Sequence, residues 1–295
     1  MTDAADNQEE RPWTVARVLR WAAEDLSRHG SDSARLDAEL LLALVLGCDR
    51  IRLVIDGAQP LSRTELARYR ALHQRRRRGE PVAYLRGERD FYGRTFGVDA
   101  RVLVPRPETE HLVEVGLDRT RRIGLGCRCL DLGTGSGCVA ISLKKERPTN
   151  CVLASDVSTD ALWVAQANCV RHGAVVGLYR SDLYDRLQRF AGAFDLIVSN
   201  PPYIDDPGMS ELPRDVRDFE PALALTGGED GLDLIRRLVR EAPGMLAPDG
   251  VCAVEIQAGQ ADRVAALFRE VGFVGIARTR DYGGHERIVS GRRPG

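Results

Sequence analysis

The segment VSNPPYI, residues 198–204, places an asparagine, two prolines and a tyrosine directly after an apolar run. A strand that ends here presents the Asn200 carboxamide and, because proline has no N–H, backbone carbonyls that no sheet ladder uses. The Asn200 oxygen and an adjacent carbonyl can together accept both hydrogens of an NH2 group. Asn200, Pro201, Pro202 and Tyr203 are therefore the candidate catalytic residues, with Tyr203 predicted to pack on a planar group.

This arrangement suits methyl transfer to a planar nitrogen. An amide nitrogen is a poor nucleophile because its lone pair is delocalised into the carbonyl. Two acceptors that fix its hydrogens hold the lone pair on the line to an activated methyl carbon, so the gain in rate comes from orientation and desolvation. A proline turn after a buried strand explains the prolines but not the whole arrangement.

A glycine-rich loop lies upstream in LDLGTGSGCVAISL, between a strand pattern and a helix pattern. Its glycines allow a tight turn and the close approach of a ligand. The spacing differs from the dinucleotide G-x-G-x-x-G pattern, and the acid before the loop does not suit a pyrophosphate. That acid suits a positively charged ligand such as S-adenosylmethionine. The predicted cofactor residues here are Asp131, Gly133, Thr134, Gly135, Ser136 and Gly137.

Two further acids follow the next two strands. Asp156 ends the second strand, where a carboxylate can accept both ribose hydroxyls, and Asp182 follows the third strand, where it can accept the exocyclic amine of adenine. Either acid alone is better explained as a helix N-cap or a solvated strand end. Three acids at the carboxyl ends of three successive strands favour one ligand site. Leu183 and Asn200 complete the predicted cofactor set.

The elements that must position these residues change in type along the chain. Residues 1–88 are predicted to form helices, residues 89–107 a β-hairpin, and residues 108–295 an alternation of strands and helices that indicates a parallel sheet covered on both faces. The last two strands are joined by a short turn and must be antiparallel. The predicted helices span 14–30, 33–47, 61–79, 138–146, 159–172, 232–242 and 261–271, and the predicted strands of the sheet span 127–133, 150–156, 176–182, 194–200, 250–256, 273–281 and 285–291.

Five segments together resemble the peptide chain release factor N(5)-glutamine methyltransferases: FYGRTFGVDARVLVPRPETE, DLGTGSGCVAISL, FDLIVSNPPYI, FEPALALTGGEDGLD and RDYGGHERIV. The similarity extends over nearly the whole chain. It implies an α/β fold, in which a seven-stranded Rossmann-like class I methyltransferase domain (108–295) follows a small N-terminal helical bundle (1–88) and a hairpin linker (89–107). The implied cofactor is S-adenosylmethionine.

The same resemblance implies a substrate and further site residues. The methyl group would pass to the glutamine side-chain nitrogen of the Gly-Gly-Gln motif in class I release factors, and the helical domain would recognise that partner. Arg106, Glu108 and Thr109 would shape the substrate wall, with Phe91 or Tyr92 near the pocket. Many relatives carry an aromatic residue where this chain has Leu183, so adenine stacking is either weaker here or supplied by Tyr184.

Two other functions compete with this interpretation. The NPPY motif alone also permits adenine-N6 methylation of nucleic acid, and a third hypothesis is a module that binds the cofactor without turnover. A formal net charge of −1 and a pI near 6.5 do not favour a nucleic acid partner. The run Arg75–Arg78 is either an RNA contact or, as its position favours, the solvated basic end of a helix. The intact stretch 200–203 argues against a module without activity.

Composition indicates the compartment. The seven cysteines are scattered, and even Cys127 and Cys129 lack the spacing of a zinc site or redox pair, so reduced thiols in a cytoplasmic protein are expected and no metal is predicted. The first residues, MTDAADNQEERP, are too acidic for a secretory signal. The apolar run 40–46 is too short to span a bilayer, and the oligomeric state stays open.

Overall fold

The computed structural model describes residues 12–123 and 125–295, which divide into two compact units between Arg86 and Gly87. The prediction that no secretory signal is present concerns residues 1–12, and all of these but Pro12 lie outside the described residues. The functional division into residues 1–88, 89–107 and 108–295 stays a prediction.

The first unit is a bundle of helices around its own apolar core. Val18, Leu41, Leu42 and Tyr69 are almost fully buried in that core. The three predicted helices form, and Ser62 begins the longest of them with a reciprocal capping box. The helices are α1 (Val15–Arg28), α2 (Ala34–Leu46), α3 (Arg50–Ile55), α4 (Arg63–Arg77) and α5 (Val82–Arg86).

The basic run at the end of α4 contacts carboxylates of its own unit. Arg75 binds Glu80 at 2.5 Å, and Arg76 binds the buried Asp37 at 2.7 Å. Arg77 lies 3.6 Å from Asp25. The run therefore forms a helix end, as that alternative predicts, but the side chain of Arg76 is largely buried in the bundle and not solvated.

The second unit begins with the predicted hairpin, formed by β1 (Glu88–Phe91) and β2 (Arg94–Gly97). Its two turn residues, Tyr92 and Gly93, have φ values of 49° and 70°, as the tightest hairpin turns require.

The other elements of the second unit alternate along the chain, as the sequence predicts. The strands are β3 (Arg128–Leu132), β4 (Cys151–Asp156), β5 (Gly177–Arg180), β6 (Phe194–Ser199), β7 (Leu246–Glu255), β8 (Val274–Arg280) and β9 (Glu286–Arg292). The helices are α6 (Glu110–Arg119), α7 (Cys138–Glu146), α8 (Thr159–His172), α9 (Asp206–Met209), α10 (Arg214–Arg217), α11 (Asp233–Met245) and α12 (Ala261–Glu270).

These seven strands form one sheet in the order β5-β4-β3-β6-β7-β9-β8. The five strands from β3 to β7 are parallel to one another, whereas β9 is antiparallel to both β7 and β8. The predicted antiparallel pair is confirmed, and so is the α/β fold class. The strand order reverses between β3 and β6, and ligands of such sheets bind at this switch point.

Helix α6 was not predicted from the sequence. Its interior glycine, Gly116, is buried, and a Cβ there would lie 3.0 Å from a methyl carbon of Leu196 on β6. Packing against the sheet therefore favours the glycine, although glycine lowers helix propensity. In the part of the chain that the structure describes, no helix is long and apolar enough to cross a membrane.

Candidate functional site

A cavity of about 530 Å³ opens at the carboxyl ends of β3, β4 and β6, within the second unit. This volume falls within the range of about 300–1,000 Å³ that small-molecule sites occupy. The predicted site residues that line it are Arg106, Thr109, Asp131, Gly133, Thr134, Gly135, Ser136, Asp156, Asp182, Leu183, Asn200, Pro201 and Pro202.

The glycine loop forms one wall of this cavity. Gly133 and Gly135 have φ values of 68° and 54°, which only glycine adopts without strain, and a Cβ at either position would meet no atom within 4 Å. The backbone of the loop is therefore accessible to a ligand. Asp156 holds the loop from the next strand, because its Oδ2 accepts the N–H of Gly135 at 2.9 Å.

Asp131 is buried beneath the glycine loop, with 2 % of its surface exposed. Its Oδ2 accepts a hydrogen bond from the Thr134 hydroxyl at 2.7 Å and from the N–H of Ala140 at 3.2 Å. Burial raises the pKa of Asp131 to about 7 against the effect of these two donors. A bound cation would favour the ionised carboxylate, so the site suits a positively charged ligand.

The two acids after β4 and β5 differ in their surroundings. Burial raises the pKa of Asp156 despite hydrogen bonds from the backbone of Ser158 and Gly135. Asp182 is half exposed and forms an ion pair with Arg237 at 3.0 Å. The ion pair occupies Oδ2 of Asp182 and leaves its other oxygen for a ligand amine.

Leu183 follows Asp182 in a left-handed conformation, with φ 44°, and lines the cavity. A bulky residue rarely adopts this conformation. Tyr184 is fully buried in the core and donates its hydroxyl to the Leu238 carbonyl at 3.2 Å. Tyr184 therefore cannot stack on an adenine in this conformation, and the aliphatic side chain of Leu183 is the one that lies at the cavity.

Asn200 stands at the end of β6, next to the switch point, and its Nδ2 donates to the Thr109 hydroxyl oxygen at 3.0 Å. This bond turns the amide oxygen of Asn200 away from Thr109. Among the described residues, none donates a hydrogen bond to the Pro201 carbonyl. Two acceptor oxygens are thus available at this strand end, as the sequence predicts.

Tyr203 and Glu255 lie behind this strand end. The Tyr203 hydroxyl donates to Glu255 Oε1 at 3.4 Å, and the Tyr203 carbonyl accepts from the Gln260 side chain at 3.0 Å. Burial raises the pKa of Tyr203 and raises that of Glu255 to about 7. Tyr203 does not line the cavity, so its predicted packing on a substrate group stays a prediction.

Arg106 joins two walls of the cavity. It donates to Glu220 Oε1 at 2.6 Å, while Glu220 Oε2 accepts the N–H of Val104 at 3.1 Å. Burial raises the pKa of Glu220, and the charge of Arg106 is the largest of the effects that oppose the rise. Arg106 therefore ties residues 104–106 to the chain that follows α10.

Besides Tyr203, four predicted site residues lie outside the cavity lining. Gly137 packs between helices, since a Cβ there would lie 3.2 Å from Ile141 and 3.3 Å from Ala165. Glu108 lies near Tyr203, Glu255 and Arg287, whose pKa values its charge affects. Phe91 is buried in the hairpin core against Phe96, and the N–H of Tyr92 donates to Glu110. Ligand roles for these four residues stay predictions.

Sequence reasoning did not single out Glu255, Glu220 or Arg237. Glu220 belongs to the segment FEPALALTGGEDGLD, which carries part of the family resemblance, so the motif itself was an available signal. Glu255 ends a strand beside the NPPY strand, and its acidic side chain inside an apolar pattern was the only signal for it.

Comparison with known families and proteins identifies relatives over nearly the whole length of the chain. Residues 17–87 match the PrmC N-terminal domain, and residues 111–212 match the methyltransferase small domain. The release factor glutamine methyltransferase of Geobacter sulfurreducens is 42% identical over 282 residues, which are 95% of this chain and 97% of that protein. The enzyme of the same name from Koribacter versatilis is 41% identical over 95% of this chain and 99% of its own length.

A solved structure supports the fold. The T. thermophilus 16S rRNA N2 G1207 methyltransferase, in complex with AdoMet and guanosine, superposes with a TM-score of 0.51 at 18% identity. The match covers 70% of this chain and 49% of that one. At this identity the likeness concerns the fold of the methyltransferase unit.

Proposed function

Because the chain belongs to the release factor glutamine methyltransferase family, we propose that it methylates the side-chain nitrogen of the glutamine in the Gly-Gly-Gln motif of class I release factors. The cofactor of this methyltransferase family is S-adenosylmethionine.

One observation carries the proposal: the Asn200 amide lines the same cavity as the glycine loop. The loop with Asp131 and Asp156 fits the cofactor, because it combines an accessible backbone with buried carboxylates that suit ammonium, sulfonium and ribose hydroxyl groups. Asn200 Oδ1 and the Pro201 carbonyl fit the two hydrogens of a carboxamide. Cofactor and acceptor would thus meet at the switch point of the sheet.

The chemistry needs few groups from the protein. When bound, S-adenosylmethionine supplies a methyl carbon activated by the adjacent sulfonium. Asn200 and Pro201 orient the glutamine nitrogen by accepting its two hydrogens, and the apolar surfaces of Pro202 and Leu223 help to exclude water. The methylated nitrogen then loses one proton to water or to a backbone acceptor, so a strong general base is not required.

The helical unit is the proposed site of release factor recognition, because the partner is a large protein and the cavity accommodates only a side chain and a cofactor. We further infer a cytoplasmic location. All seven cysteines lie in the described ranges and are unpaired, which suits a reducing compartment.

Adenine-N6 methylation of nucleic acid, the alternative that NPPY alone permits, receives no support from the relatives, which are named for release factor glutamine.

Mass spectrometry of a class I release factor after incubation with the enzyme and S-adenosylmethionine tests the proposal. The expected product carries 14 Da on the loop glutamine, the mass of one methylene. Two controls define the site: a release factor with that glutamine changed to alanine, and the enzyme variant Asn200→Ala. A release factor that stays unmodified while the enzyme binds the cofactor would contradict the proposed substrate.

A further inference from the structure

A buried carboxyl group behind the Asn200 strand end is not used by the mechanism described above. Glu255 is the last residue of β7, whose penultimate residue, Val254, pairs with Ser199 on β6. It is 1 % exposed, and its Oε2 is buried without a hydrogen-bond partner in the structure. Leaving such an acceptor unpaired costs about 1–3 kcal/mol, so its presence requires an explanation.

Thr109 is hydrogen-bonded to Asn200 and lies near this carboxyl group. The threonine is 3 % exposed, accepts the Asn200 Nδ2 hydrogen at 3.0 Å, and lies close enough to Glu255 to oppose the rise in the pKa of that group. A hydroxyl has one hydrogen to donate. Because its oxygen already accepts from Asn200, the Thr109 hydrogen is available for the Glu255 carboxylate.

We propose that Glu255 and Thr109 are positioning residues, which set the direction of a hydrogen-bond chain that aims the Asn200 amide oxygen at the substrate. In this chain, the ionised Glu255 accepts from Thr109, and Thr109 accepts from Asn200 Nδ2. The amide oxygen of Asn200 is then left to accept from the glutamine NH2. The inference rests on the proposed function, since it is the NH2 of a carboxamide that needs an acceptor here.

The opposite direction would prevent productive binding. A protonated Glu255 can donate to Thr109, and Thr109 can then donate to the Asn200 oxygen, which would turn the asparagine NH2 toward the substrate NH2. Burial places the pKa of Glu255 near neutrality, so both directions are accessible. The charged or titratable groups around Glu255 are Glu108, which favours protonation, and Arg287 and Tyr203, which oppose it.

Enzyme kinetics on three variants provide the first test. Thr109→Val removes the hydroxyl at nearly constant volume, and we expect kcat to fall about 10- to 100-fold, with the KM for S-adenosylmethionine unchanged. Thr109→Ser restores the hydroxyl and should return kcat to near the parent value. Glu255→Gln replaces the carboxylate by a group that can donate, and it should lower kcat to a similar extent.

The double variant Thr109→Val, Glu255→Gln separates a chain from two independent structural effects. Residues that act through one chain give non-additive losses, so the double variant should be about as slow as either single variant. Losses in kcat that multiply, or a Thr109→Val enzyme with parental kcat, would overturn the inference.

Nuclear magnetic resonance supplies a readout that does not depend on turnover. The chain contains four asparagines, so selective ¹⁵N labelling of asparagine gives a simple set of side-chain NH2 signals, which Asn200→Ala assigns. We expect the Asn200 signals to shift in Thr109→Val and Glu255→Gln and to stay in place in Thr109→Ser. Unchanged signals in all three would refute the chain, whereas shifted signals in an enzyme that leaves release factors unmodified would refute only the proposed substrate.

Discussion

The side-chain amide of Asn200 donates to Thr109, and in the proposed mechanism its oxygen accepts from the substrate. Replacing Asn200 by alanine removes an acceptor that would hold the substrate nitrogen in one orientation, so that this nitrogen can rotate. We expect Asn200→Ala to lower kcat by about 10²- to 10³-fold, the loss typical of a preorganised polar group at a reacting centre. Single-turnover methylation of the release factor measures the effect.

The matched control for this variant is Asn150→Ala. Asn150 is an asparagine of the same unit that is buried, but its Nδ2 contacts the Cys129 sulfur, and it does not line the cavity. It should leave kcat within about threefold of the parent, because its contacts are structural. Equal transfer by Asn200→Ala and the parent would remove Asn200 from the mechanism.

Asp131 predicts a pH dependence of cofactor binding. Burial raises its pKa to about 7. Between about pH 4 and 7 the folded protein therefore binds more protons at this group than the unfolded chain does. Because of this difference, Asp131 makes the protein less stable as the pH rises through that range. A cationic ligand favours the ionised form. We therefore expect the Kd for S-adenosylmethionine to decrease as the pH rises from 6 to 8. Binding of the cofactor should release a proton from Asp131 near pH 7.

Isothermal titration calorimetry in buffers of different ionisation enthalpy measures that proton release. Asp131→Asn is the matched variant, because its amide oxygen can still accept from Thr134 and Ala140 while its charge is absent. It should bind more weakly and lose most of the pH dependence. A parental Kd that is the same at pH 6 and pH 8 would contradict the assignment.

At this residue scale, the sequence indicated the acceptors beside the glycine loop and the NPPY motif, including the buried Asp131, but not the buried acids Glu220 and Glu255. Asp131, Asp156 and Asn200 follow apolar runs, and the parallel sheet brings such positions to one edge. Glu220 and Glu255 are equally acidic in sequence, but their surroundings come from distant parts of the chain: Glu220 pairs with Arg106, more than a hundred residues earlier, and Glu255 ends a strand that pairs with β6. A single sequence does not encode those long-range contacts in any local pattern.

At the scale of elements, one ion pair holds the segment before the turn Pro107–Thr109 against the chain that follows α10. Arg106 precedes this turn and binds Glu220, which is 6 % exposed. Removing the cation leaves the carboxylate of Glu220 buried beside the Val104 N–H alone. We expect Arg106→Met to lower the free energy of unfolding by about 1–3 kcal/mol, because Arg106 itself is partly exposed.

Urea denaturation compares this variant with Arg101→Met. Arg101 also lines the cavity, but it pairs with Asp99 on the surface, where both side chains are 47 % exposed. The surface variant should lose at most about 1 kcal/mol. In addition, Arg106→Met should raise the KM for the release factor, since the two walls of the cavity are no longer tied. Equal stability of the two variants would show that the buried pair does not hold the walls.

The helices and strands were largely predictable, and the exceptions have physical causes. The predicted helices over 138–146 and 159–172 have the bounds that α7 and α8 show, because capping and periodicity are local signals. Helix α6 lacks such a pattern. Its glycine, Gly116, is favoured by close contact with Leu196 and Leu143. Its first residue, Glu110, is partly exposed and accepts a hydrogen bond from the N–H of Tyr92 in the hairpin turn. Tertiary contacts, which the sequence alone does not show, determine that element.

The molecule as a whole is nearly neutral, and three arginines of its cationic run contact carboxylates within the same unit. The formal net charge is −1, and Arg75, Arg76 and Arg77 lie beside carboxylates of the helical unit. Neither feature provides an extended cationic surface for phosphates. The proposed division of labour is one unit for methyl transfer and one for recognition of a protein.

This division predicts the behaviour of a chain that begins at Gly87. Each unit has a hydrophobic core of its own, that of the helical unit around Leu41 and that of the methyltransferase unit around Leu130 and Ile197. We therefore expect the shortened chain to fold and to bind S-adenosylmethionine with a Kd close to that of the full chain, because every residue that lines the cavity follows Gly87. Its KM for the release factor should rise by at least about tenfold, the loss of one or two good contacts at a protein interface.

A short peptide that contains the Gly-Gly-Gln motif separates recognition from chemistry in this comparison. Both chains should methylate the peptide at the same low rate, since the peptide reaches only the cavity. If the shortened chain methylates the intact release factor as efficiently as the full chain, the helical unit is not the recognition surface. If it binds the cofactor but fails on the peptide as well, the helical unit contributes to catalysis itself.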